Sequence, residues 1–115
     1  MSIGIKQPWE VVLAADNGFV QVSAGAAPVG LGTIPLSATG ATIQIEADPA
    51  DIGGGRIARY RMDGGNPSST AGFLAGDGTQ INLINQSQLD NFKIISLTGN
   101  AQIVNVQFFY NTLST

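Results

Sequence analysis

Hydrophobic and polar residues alternate along most of this chain with a period of two, and hardly anywhere with the 3.6-residue period of an amphipathic helix. The segment Ala41 to Ala47 sets Ile43 and Ile45 against Thr42, Gln44 and Glu46, the pattern of a half-buried strand. In Arg56 to Asp63, Ala58, Tyr60 and Met62 fall on one face, and Arg59 and Arg61 on the other. Gln102 to Tyr110 repeats the pattern, with Val104, Val106, Phe108 and Tyr110 in phase. Shorter runs, Phe73-Leu74, Gln80 to Ile84 and Phe92 to Leu97, also predict strands, with Ile81, Leu83 and Ile84 as anchors of the second. Near the start, Glu10 to Ala15 and Phe19 to Ala24 flank Asp16-Asn17-Gly18, whose Asn and Gly tolerate positive φ, so this stretch predicts a hairpin.

Turn residues punctuate these runs: Gly25 to Gly32, Asp48-Pro49, Gly53-Gly54-Gly55, Asp63-Gly64-Gly65-Asn66-Pro67, Ala75 to Gly78, and Gly99-Asn100. One helical turn is predicted at Ser87 to Asn91. About eight short strands, each with one apolar face, need a second layer to cover them. The expected fold is therefore all-β, a two-layer antiparallel sandwich or jelly roll, with the strand order left open. Residues 10–115 form its single domain, and residues 1–9 precede it as an N-terminal arm.

Composition changes this picture mainly through charge. Charged residues are 11% of the 115, where an average soluble domain has roughly 25%. Ser, Thr, Asn and Gln, eight of each, replace them. Burying a charge is costly, whereas amides and hydroxyls can pair across a contact, so this exterior suits coverage by partners as well as plain solvent exposure. The net charge of −3 supplies no basic field for a phosphate backbone, and nucleic acid is not an expected partner. The apolar run Val11 to Ala15 is too short for a secretory core or a membrane span, so no membrane partner is expected and the chain reads as kept soluble.

Histidine and cysteine are both absent, which removes Ser-His-Asp and thiolate chemistry, disulfides and most transition-metal sites. Five of the eight carboxylates sit in turns, where Asp serves backbone hydrogen bonding. Asp48 with Asp51, or Asp77 with nearby carbonyls, offers oxygen ligands for Ca²⁺ but not at EF-hand spacing. Neither Gly53-Gly54-Gly55-Arg56 nor Gly64-Gly65-Asn66 carries the Lys-Ser/Thr ending of a phosphate loop. The expectation is a chain without catalytic activity, cofactor or metal. Its candidate partner-binding residues are Arg56, Arg59 and Arg61, either a guanidinium docking patch or a solvated face that guards a sheet edge. To these are added Trp9, either an anchor on a neighbouring subunit or a lid on its own sandwich, and Asn66 in the polar loop Asn66 to Thr70.

The run RIARYRMDGGNPSSTAGFLAGDGTQINL, followed by LDNFKII and AQIVNVQFFY, resembles small virion proteins of tailed bacteriophages over about residues 41–110. The shared features are a strand like Arg59-Tyr60-Arg61 entering an Asp-Gly turn, a downstream Pro, a Gly-Phe-Leu step, a Gly-Asp turn and a C-terminal β pair. The resemblance implies a virion structural protein, foremost a capsid decoration (cement) protein. Its partners would be the major capsid protein or other virion proteins, and it would act as a homo-oligomer. A neck, tail or baseplate component is the alternative within that class, and a glycan- or receptor-binding β module the alternative outside it.

Overall fold

The computed structural model describes residues 10–113; the predicted arm, residues 1–9 with Trp9, lies outside the described residues. In chain order the elements are β1 (Glu10–Ala24), β2 (Gly40–Glu46), a 3-10 turn (Pro49–Asp51), β3 (Ala58–Arg61), β4 (Phe73–Ala75), β5 (Gln80–Leu83), α1 (Gln86–Asn91), β6 (Lys93–Ser96) and β7 (Gln102–Leu113). They form two antiparallel sheets, ordered β1-β7-β2-β5 and β4-β3-β6.

The segment 25–29 joins the sheets at one corner. It leaves β1 and runs along the free edge of β6, where Val29 and Ile94 exchange backbone hydrogen bonds of 3.1 and 2.9 Å and Ser96 N–H donates to Gly25 O at 2.7 Å. Taken as a vestigial strand, it completes the second sheet as 25–29, β6, β3, β4. The alternation predicts the two antiparallel layers, and counted with this segment the strands follow a jelly-roll order that the alternation left open.

The core lies between the sheets. Ile43 and Ile45 of β2 and Val104, Val106 and Phe108 of β7 meet Ala58 of β3 and Ile94 of β6, all fully or almost fully buried. Leu89 of α1 closes one side, because Asn85 caps the helix by accepting from Gln88 N–H at 2.9 Å while Gln88 Oε1 accepts from Ile84 N–H at 2.8 Å. Ile84 itself is 75% exposed, so it is a rim residue and not the core anchor its neighbours Ile81 and Leu83 are.

The predicted hairpin at Asp16-Asn17-Gly18 does not form. Residues 10–24 are one strand along β7, pairing Ala14 with Phe109 and then Phe19 with Gln107, so residues 15–18 stand opposite Phe108 alone. β7 is long enough to partner both halves, and the turn residues are absorbed as an irregular bulge of four residues against one. The bulge resets the strand so that Val20, Val22 and Ala24 face the core and Phe19, Gln21 and Ser23 face outward.

Candidate partner-binding site

The two outer faces of the sandwich differ in kind. On the three-stranded sheet, Arg59 and Arg61 of β3 lie across from Leu74 of β4 and from Ile95 and Lys93 of β6, pairing Arg59 with Leu74 and Ile95, and Arg61 with Lys93. On the four-stranded sheet, the outward positions whose side chains are described, in residues 19–24 of β1, in β2 and β5 and in residues 102–110 of β7, hold no Lys or Arg and one acid, Glu46.

Arg61 carries the site at the end of β3. Its Nε donates to Asp63 Oδ1 at 3.0 Å and its Nη2 to Oδ2 at 2.6 Å, a two-pronged pair. Asp63 Oδ1 also accepts from Gly65 N–H at 3.1 Å, so the Asp63-Gly64-Gly65 turn wraps the guanidinium. The Arg61 bonds and the Gly65 amide hold the Asp63 carboxyl down at about 2, and the same pair raises Arg61. Next to the fork, Lys93 Nζ donates to Asn66 Oδ1 at 3.2 Å, tying the loop after β3 to β6.

Phe73 opens on this end. The ring is 60% exposed, yet it is not loose, since it packs at 5.5 Å on Tyr60, which packs at 5.7 Å on buried Phe92. Phe73, Arg61, Met62 and Asp63 line a cleft of about 260 Å³. Half-buried in the same stack, Tyr60 has its hydroxyl pKa raised by burial.

The predicted arginine patch is thus divided. Arg61 lines the cleft, and Asn66 is held by Lys93, the β6 residue paired with Arg61, without lining the cleft itself. Arg59 is half-buried, with its Nη1 donating to Gly72 O at 2.6 Å and its Nε buried without a partner, so it straps the 62–72 loop to β3. Arg56 precedes the other end of the strand, five residues from Arg61 or roughly 16 Å along an extended chain, and is exposed. Trp9 lies outside the described residues. The sequence pattern marks Phe73 only as a strand residue. Its sign in the sequence is its place in a three-residue edge strand between Gly72 and Gly76, too short to bury both Phe73 and Leu74.

The turn carboxylates serve the fold. Asp48 caps the 3-10 turn through Ala50 N–H, and Asp77 accepts from Ala47 N–H at 2.9 Å. Asp51 accepts from Gln102 Nε2 at 2.6 Å, Thr98 Oγ1 at 2.7 Å and Asn100 Nδ2 at 3.5 Å, and these bonds, led by Gln102, lower its pKa. Gln102 is fully buried beneath the β6–β7 turn, and its Oε1 accepts from Asp48 N–H at 2.7 Å. No group of three or more Asp or Glu converges among the described residues.

Elsewhere, Gly40 of β2 approaches β5 so closely that a Cβ would stand 2.8 Å from Leu83 O. The close approach leaves an apolar hollow of about 240 Å³ over Ile84 and Phe109. Compared with family models, with curated proteins and with solved structures, the chain matches none.

Proposed function

We propose that this chain is a non-catalytic virion structural protein of a tailed phage, a capsid decoration protein that docks on the shell through the Phe73–Arg61 cleft. One observation carries the docking surface: an exposed aromatic ring held rigid by a stack reaching the core, beside Met62 and an arginine already oriented by its carboxylate. Aromatics, Met and Arg are the residues enriched in protein interfaces, and a ring that loses little freedom on contact makes an effective anchor. The resemblance of residues 41–110 to phage virion proteins supplies the class of particle. The jelly-roll sandwich suits a shell component, although a fold alone names no function. Many copies, associated as homo-oligomers at symmetry points, would stabilise the shell by mass action.

Quantitative mass spectrometry of purified phage particles tests the assignment. The expected result is on the order of hundreds of copies in fixed ratio to the major capsid protein, with particles lacking the chain less resistant to heat. About a dozen copies or fewer would move it to the neck, tail or baseplate, and none would refute a virion role.

A further inference from the structure

The face away from the cations carries a second binding chemistry. Phe19, the first residue after the β1 bulge, stands outward and is 56% exposed. Across the sheet from it the register aligns Gln107 of β7, Thr42 of β2 and Asn82 of β5. The next row sets four amides side by side, Gln21, Asn105, Gln44 and Gln80, one from each strand. Phe19, Thr42, Gln44, Gln80, Asn105 and Gln107 line a shallow open groove of about 240 Å³. With strands about 4.8 Å apart, it crosses roughly 14 Å of sheet.

Several of these side chains are oriented before any ligand arrives. Gln21 Nε2 donates to Asn105 Oδ1 at 2.8 Å, Asn105 Nδ2 donates to Glu46 Oε1 at 3.1 Å, and Thr42 Oγ1 donates to Asn82 Oδ1 at 3.2 Å. Gln44, inside the row, and Gln80, at its β5 end, are exposed to solvent. Each amide is both donor and acceptor, which matches a hydroxyl group. A flat exposed ring matches the C–H face of a pyranose. The outward positions whose side chains are described hold no cation to receive a phosphate, sulfate or carboxylate, and Glu46 at the border repels them. Within the groove Phe19 is the one apolar side chain among four amides and a hydroxyl, whereas a protein contact calls for a more apolar centre; the apolar hollow over Ile84 and Phe109 lies beside it.

We propose that the outer face of the four-stranded sheet is a binding site for neutral oligosaccharide, with Phe19 as the stacking platform and the Gln44, Gln80, Asn105 and Gln107 amides as hydroxyl partners. The site is separate from the Phe73–Arg61 cleft, so a chain docked by the cleft keeps it free. Either assignment can fail without the other.

Titration of the isotope-labelled full chain with cellohexaose, maltohexaose and chitohexaose, and with hexagalacturonate as the anionic control, is read by amide NMR. The expected result is saturable millimolar binding of at least one neutral sugar, with shifts confined to the backbone around Phe19 and the amides of Gln44, Gln80, Asn105 and Gln107. Phe19→Ala should weaken it about tenfold or more, and Gln80→Leu should weaken it while leaving the rest of the spectrum in place. No shift with any neutral sugar, shifts elsewhere on the molecule, or equal binding of the anionic control would each overturn the proposal. Protection of this face on the particle together with silence toward all three sugars would assign it to a protein contact instead.

Discussion

Arg61 and Asp63 are two residues apart, on opposite sides of the end of a strand, and the turn brings them into a fork that fixes the position of a cation beside Phe73. The fork has a pH signature. A carboxyl held at about 2 in the folded chain, against about 3.9 unfolded, supports the fold fully above about pH 4 and loses that support as the pH falls toward 2. Carboxylate NMR should find the Asp63 midpoint near 2, and Arg61→Ala should return it toward the ordinary range. Asp51 shifts in the same direction, led by Gln102, and its contribution is lost at the acid end in the same sense. Gln102→Ala removes partners from Asp48 N–H and the Asp51 carboxylate and leaves a gap, so urea denaturation should show a loss of about 2–4 kcal/mol. The sequence hides this role. Gln102 sits in phase with Val104, Val106 and Phe108, and only the packing of the β6–β7 turn over the 3-10 turn supplies the polar partners that let an amide occupy a core position.

At the scale of elements, alternation locates strands well where one face is buried. β2, β3, β5 and β7 start or end within a few residues of their predicted limits, because each buries a single apolar face against the opposite sheet. It fails at β1, where local turn chemistry at Asp16-Asn17-Gly18 competes with a long-range pairing that sequence does not reveal. The helical turn stands near its predicted place because its capping residues are local. Turns also differ in tolerance. A Cβ at Gly76, between β4 and β5, would run into the carbonyl of Gly55, whereas one at Gly99, between β6 and β7, meets nothing within 4 Å. Gly76→Ala should therefore cost roughly 1–3 kcal/mol, and Gly99→Ala should stay within about 0.5 kcal/mol of the parent in the same denaturation series.

The whole molecule has two unlike outer faces, one with Arg59, Arg61 and Lys93, the other lined with amides around Phe19. The low charge suits contact surfaces as well as plain solvent exposure, and it does not say where such surfaces would lie, because placement depends on strand order. Arg56, Arg59 and Arg61 look like one patch in sequence, yet one is exposed, one straps a loop, and only Arg61 reaches the cleft with Asn66 nearby. Phe19 was legible in principle, since Val20, Val22 and Ala24 share the opposite face, but its companions come from three other strands.

Docking by the Phe73–Arg61 cleft predicts that Phe73→Ala, with little effect on folding of the free chain, weakens attachment to depleted particles by about 2 kcal/mol or more, a factor of roughly thirty. The most direct test of the docking claim is hydrogen–deuterium exchange on the chain bound to its particle, compared with the free chain. The account predicts new protection at the backbone of residues 61–66 and 73–75, with the four-stranded sheet exchanging as it does when free. Unchanged exchange at the cleft, with protection appearing elsewhere, would contradict it.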